Sequence, residues 1–126
     1  MNSVMPVKIL IVEDEILIAM GIELELKQYG YADCDRVTTG EAAISVASKN
    51  PPDIILMDIN LAGHINGIEA ARHIQSKNKI PIIFITGYQD KTMEEQITKL
   101  QPAGYFVKPL IMQKIKTLID KLQPYN

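Results

Sequence analysis

A single cysteine, Cys34, stands in the whole chain, so no internal disulfide framework holds the fold together, as befits a reducing compartment. Long apolar runs are also missing: none approaches the ~20 residues that a membrane-spanning helix requires. No cluster of lysine and arginine occurs, and the formal net charge is −2. That balance argues against nucleic acid as a direct partner. Met1 to Pro6 lack a basic segment followed by an apolar stretch, so no secretory signal is expected. Internal repeats, low-complexity tracts and linkers are absent too. These absences point to a single cytoplasmic domain with no membrane partner, and they name no activity.

What is present is ordinary in kind. The 126 residues are 47% hydrophobic and 22% charged, enough to bury a core without disulfides or a structural metal. Apolar runs at 8–12, 54–57, 80–85 and 105–107 read as strands, and 33–37 is a weaker candidate. The first three are rich in Ile, Leu and Val without polar alternation, as in strands covered on both faces. Helices are expected at 15–28, 39–49, 67–76, 91–100 and 110–122. In the first, Ile16, Met20 and Leu24 fall four apart on one face, and Gly30 stands just beyond its end. Thr39 is a suitable cap for the second, and Pro51-Pro52 stops it. The 91–100 segment has thin apolar content. Strand and helix alternate five times, which implies βαβ units with right-handed crossovers. The expected fold is α/β: a five-stranded parallel sheet with helices on both faces.

Polar residues fall at telling places. The first strand runs into Glu13-Asp14, the third into Asp58, the fourth into Thr86 and the fifth into Lys108. In open α/β sheets, ligands bind beyond the carboxyl ends of the strands, where strand order reverses. Three carboxylates gathered there repel one another unless a cation lies among them. An all-oxygen set without histidine or cysteine suits Mg²⁺ or Mn²⁺ rather than zinc. Lys108 adds a point charge suited to a phosphoryl oxygen, and Thr86 adds a hydroxyl. A carboxylate nucleophile in such company is equipped for phosphoryl transfer, and Asp58, on the central strand, is the natural nucleophile.

With those residues in place, the chain resembles the receiver domains of two-component response regulators. The motifs are I-L-I-V-E-D-E, I-I-L-M-D-I-N-L, I-I-F-I-T-G and Y-F-V-K-P-L, in that order. The resemblance implies a flavodoxin-like sheet of order 2-1-3-4-5 and one receiver domain over 1–126, with its core at about 7–122. It implies that Asp58 is the phosphoacceptor, and that Glu13, Asp14, Asp58 and the backbone carbonyl of Asn60 hold Mg²⁺ or Mn²⁺. Thr86 and Lys108 would contact the phosphoryl group, and Thr86 with Tyr105 would switch a surface built from the fourth helix, fifth strand and fifth helix. A cis Lys108-Pro109 bond is common in the family. The implied partners are a histidine kinase or histidine phosphotransfer protein and a downstream protein target. Beyond its own phosphoryl transfer and slow autodephosphorylation, no enzyme activity is implied. Asn60 and Tyr88 would flank the water that hydrolyses the acyl phosphate, with Tyr88 as a shield.

The sequence also departs from the family pattern. Its acid pair is Glu-Asp rather than Asp-Asp. The loop after Asp58 is one residue longer than the common form, with Ala62 where many members carry proline. His64 and His73 read as a loop residue and a solvated helix residue, Cys34 as a small strand residue, and Met57 and Met93 as packing. Two other functions fit the same residues less well. A metal-dependent phosphatase with an aspartyl-phosphate intermediate needs a second acid two places after its nucleophile, where Asn60 stands. A flavodoxin-like electron carrier would present its FMN phosphate to Glu13-Asp14-Glu15, which repels it.

Overall fold

In a computed structural model, residues 6–87 and 90–123 are described. Tyr88, the expected shield, lies outside them. The chain runs β1 (Ile9–Val12), α1 (Ile16–Gln28), β2 (Cys34–Val37), α2 (Gly40–Lys49), β3 (Ile54–Asp58), α3 (Gly67–Gln75), β4 (Ile82–Thr86), α4 (Lys91–Lys99), β5 (Gly104–Val107) and α5 (Met112–Lys121). The strands form one sheet in the order β2-β1-β3-β4-β5, and every pairing is parallel. This is the expected flavodoxin-like arrangement. Among the described residues, no helix is long and apolar enough to cross a membrane.

The three central strands are buried along their whole length, which is why they lack polar alternation. Their side chains alternate between two cores. One packs Leu10, Val12, Ile55, Met57 and Phe84 against α2, α3 and α4. The other packs Ile9, Ile11, Leu56, Ile83 and Ile85 against α1 and α5. Each crossover thus covers one face, and the pleat distributes consecutive residues between the two.

Element edges follow local chemistry. β4 starts after Pro81, which has no amide to donate, and gains Thr86 at its other end. α2 is capped by Thr39, whose hydroxyl accepts the Ala42 amide at 3.1 Å. Asn66 and Glu69 form a reciprocal capping box at the start of α3. Asp90 caps α4, accepting from the Met93 amide at 2.7 Å, and Ile97 is that helix's buried residue. The Lys108-Pro109 bond is cis.

The stripe of Ile16, Met20 and Leu24 is not the side of α1 that meets the sheet. α1 buries Ala19, Ile22 and Leu26, whereas Ile16, Leu17, Met20 and Leu24 are exposed. The four-residue spacing identified a real stripe, but at 100° per residue that stripe lies nearly opposite Ile22. α1 is apolar on more than one side, and spacing alone does not say which side meets the sheet.

Candidate functional site

β1 and β3 are neighbours whose chains leave the sheet in opposite directions, toward α1 on one face and α3 on the other. The crevice between their carboxyl ends holds the polar residues. Ladder bonds continue just past the strands: the Glu13 amide donates to Val37 O at 3.1 Å, Ile59 to Ile85 O at 3.1 Å, and Lys108 to Thr86 O at 2.7 Å. The sheet itself therefore fixes where Glu13, Asp58 and Lys108 begin.

Glu13, Asp14 and Asp58 each bring a carboxylate oxygen to within 4.8 Å of the others. Glu13 is 0% exposed and Asp58 3%, while Asp14 is partly exposed at the mouth. Lys108 reaches across them, with Nζ 2.8 Å from Glu13 Oε1 and 3.2 Å from Asp58 Oδ2. The other Glu13 oxygen accepts the Glu15 amide at 3.1 Å, which folds the acid pair back over the end of β1. Asp58 Oδ1 accepts the Asn60 amide at 3.3 Å, so the loop leaving β3 turns immediately over its own carboxylate.

The electrostatics follow from burial and crowding. Desolvation, reinforced by Glu13, pushes the Asp58 carboxyl up to about 7 against the opposing pull of Lys108. For Glu13, burial acts upward, but hydrogen bonds from Lys108, Asp58 and the Glu15 amide win and hold it below its ordinary value. Burial acts downward on Lys108, yet its bond to Glu13 and the two acidic charges keep the ammonium above its usual range. The three groups behave as a cluster with more acid than base. A divalent cation fits it: the donors are all oxygen, two of the carboxylates are already desolvated, and one lysine cannot neutralise three acids.

Thr86 is fully buried at the end of β4, paired in register with Val107. Tyr105 pairs with Phe84 two positions earlier, so Thr86 and Tyr105 share one face of the sheet. Tyr105 packs against the core under α4, and burial together with Glu94 and Asp90 raises its phenol. Of the residues expected at the site, Glu13, Asp14 and Asp58 come into mutual reach, Lys108 reaches Glu13 and Asp58, and Asn60 follows in the loop above. Thr86 ends the adjoining strand, and Tyr105 lies one layer below it. His64 and His73 are exposed, as expected, and Met57 is buried. Cys34 is partly buried, and burial and nearby acids raise its thiol to about 11, which favours the neutral form.

Sequence reasoning passed over Thr39, Gly40 and Glu41 as contacts of the β3–α3 loop. The bridge between Thr39 and Ala62 and the bond from the His64 amide to Glu41 join segments more than twenty residues apart. Gly63, with φ +102°, was the one local signal of a special loop shape there.

With fold and site described, the likenesses to known proteins become informative. Residues 9–120 match the family described as the response regulator receiver domain. The chain belongs to that family, whose members are signalling domains of two-component systems. It is 29% identical over 119 residues to the transcriptional regulatory protein PdtaR of Mycobacterium tuberculosis, covering 94% of this chain and 58% of that protein. It is 31% identical to the phyllosphere-induced regulator PhyR of Methylorubrum extorquens, covering 93% of this chain and 43% of that protein. The chain thus spans about half the length of these curated relatives. Among solved structures, it resembles the signal receiver domain of a modulated diguanylate cyclase from Desulfovibrio desulfuricans, with TM-score 0.86, 33% identity and 94% of each chain covered. The N-terminal domain of a response regulator/sensory box/GGDEF protein from Carboxydothermus hydrogenoformans gives 0.82 and 35%, covering 91% of this chain and 92% of that one.

Proposed function

We propose that this chain is the phosphoacceptor domain of a two-component phosphorelay, with Asp58 as the residue modified. The observation that carries the reading is the Glu13–Asp14–Asp58 cluster bridged by Lys108 at the carboxyl edge of the sheet. The donor is a phosphohistidine on a histidine kinase or histidine phosphotransfer protein. In the transfer, an Asp58 oxygen forms a bond to phosphorus as the imidazole nitrogen–phosphorus bond breaks. The imidazole keeps the electron pair and takes up a proton.

Each residue has a distinct task. Asp58 must be ionised to attack; burial and the neighbouring Glu13 disfavour that ionised form, and a cation in the cluster would favour it. Glu13, Asp14, Asp58 and the Asn60 carbonyl would hold Mg²⁺ or Mn²⁺, which would supply charge neutralisation for the acids and the phosphoryl oxygens. Lys108 can release Asp58 and turn to a phosphoryl oxygen while Glu13 retains it nearby. Thr86 supplies a hydroxyl from the end of β4. Since Asn60, two places after Asp58, cannot act as an acid, the site is not equipped to protonate the leaving group of an ordinary phosphoester.

The exposed apolar stripe of α1 fits the same reading. Ile16 and Leu17 begin the helix one residue after the acid pair, and Ile111 is exposed in the loop following Lys108. Both stretches follow carboxyl-end segments of the sheet, where a helix carrying the donor histidine would rest.

Incubation with acetyl phosphate and Mg²⁺, read by intact-mass spectrometry, tests the assignment. Wild type should gain one phosphoryl group and Asp58→Asn none. Equal labelling of the two would overturn it.

A further inference from the structure

Three consecutive residues at the start of α2 grip the loop that leaves Asp58. Thr39 forms a parallel bridge with Ala62. Gly40 leaves room for Ile65: a Cβ there would lie 2.8 Å from Ile65 Cγ1. Glu41 accepts the His64 amide through Oε2 at 3.2 Å. Its other oxygen lies so close to Gly63 that a Cβ on that residue would sit 3.1 Å away, at a φ of +102° that favours glycine.

The loop's two ends are tied elsewhere. At the near end the Asn60 amide donates to Asp58 Oδ1 at 3.3 Å, and the Leu61 amide donates to Ile59 O at 3.1 Å. At the far end the Gly67 amide donates to Ile59 O at 2.8 Å, and Asn66 caps α3. Between them Ala62, Gly63 and His64 are exposed, so burial does little to hold them. Among the described residues, Glu41 provides the side-chain hydrogen bond to this middle stretch. Glu41 is itself held at the amino end of a helix, where its own amide and that of His64 keep the carboxyl below its ordinary value.

We propose that Glu41 is a positioning residue for divalent-cation binding: from α2, it holds the β3–α3 loop in the shape that presents the Asn60 carbonyl to the acidic cluster. The inference rests on the phosphoacceptor reading above, in which that carbonyl is a ligand. Glu41 touches neither the cation nor the phosphoryl group. Loss of the tether leaves Glu13, Asp14 and Asp58 in place, frees the stretch 62–64, and leaves the Asn60 peptide to the 3.3 Å bond to Asp58 Oδ1 and the Leu61 turn, so the cation loses part of the preorganisation of that ligand.

Mg²⁺ is titrated calorimetrically into wild type, Glu41→Gln and Glu41→Ala, with amide exchange of residues 61–65 and metal-free melting followed in parallel. Gln keeps an acceptor oxygen and removes the charge, which separates the tether from a plain electrostatic effect. Glu41→Ala should weaken Mg²⁺ about three- to tenfold, while Glu41→Gln stays within about twofold, since the lost contact lies one step outside the ligands. The His64 amide should exchange faster in Glu41→Ala alone, with metal-free melting nearly unchanged. Equal weakening in both variants would make Glu41 a distant charge and overturn the proposal. Unchanged affinity in Glu41→Ala would overturn it as well, whether or not melting falls. Failure of wild type itself to bind Mg²⁺ would instead sink the phosphoacceptor reading, and this proposal with it.

Discussion

Asp58 and Glu13 titrate in opposite senses, and each leaves its own mark on stability. The Asp58 carboxyl, raised to about 7 by burial and by Glu13, binds a proton in the folded state that the unfolded chain releases near 4. Across that window the folded state holds more protons, so the contribution of Asp58 to stability falls as pH rises. Glu13, held below its ordinary value by Lys108, contributes stability that is present above its unfolded pKa and is lost on acidification. Asp58→Asn removes the unfavourable charge and keeps the Glu13–Lys108 pair. In chelator it should therefore be more stable than wild type by about 1–3 kcal/mol at pH 8, with the gap closing toward pH 4.5. Saturating Mg²⁺ should narrow the gap, because it stabilises wild type by mass action. Chemical denaturation at several pH values measures this, and a gap that does not vary with pH would refute it.

At the scale of elements, α3 and α1 meet the site in different ways. α3 starts so close to β3 that a Cβ on Gly67 would lie 2.1 Å from the Asp58 carbonyl oxygen. The obstacle is backbone, and no rotamer relieves it. Gly67→Ala should cost about 2–4 kcal/mol and shift the loop above Asp58, read by melting and by loss of Mg²⁺ affinity. A variant with wild-type stability would show that the helix start can retreat freely. α1 begins its exposed stripe one residue past the acid pair, and Leu17 there is 84% exposed. Leu17→Glu should leave melting unchanged, slow phosphotransfer from a phosphohistidine protein about tenfold, and leave labelling by acetyl phosphate intact. Equal slowing with both donors would place the defect in the chemistry rather than in docking.

For the molecule as a whole, the question is how a new charge at Asp58 is felt elsewhere. Thr86 and Tyr105 lie on one face of adjacent strands, one at the sheet edge and one beneath it. Under the proposed function, a phosphoryl group on Asp58 would draw the Thr86 hydroxyl toward it and free space on the side of Tyr105, a two-state repacking biased by local hydrogen bonds. Amide shifts on phosphorylation should extend from Thr86 through α4 and from Tyr105 into the first turns of α5. Shifts confined to the loops after β1 and β3 would mean that the site accepts phosphate without switching this surface.

Much of this architecture was legible beforehand because a buried parallel strand has a distinctive composition. The Ile-, Leu- and Val-rich runs of β1, β3 and β4 announced strands covered on both faces, and the acids and Thr86 at their ends, with Lys108 after β5, marked one edge. A strand's direction and its last residue are local properties, so the positions of Glu13, Asp14, Asp58 and Lys108 followed once the strands were recognised. The buried side of α1 was not legible, because Ile16, Met20 and Leu24 repeat as regularly as Ala19, Ile22 and Leu26, and only the neighbouring sheet and α5 choose between the stripes. Glu41 was invisible for the same kind of reason. Its partner amide is twenty-three residues away along the chain, and only the packing of α2 beside the loop after β3 brings the two together. Order along the strands and the chemistry at their ends were therefore set by the sequence alone. Which helix face is covered, and which distant residue steadies the loop at the site, were decided by tertiary contacts that no local pattern encodes.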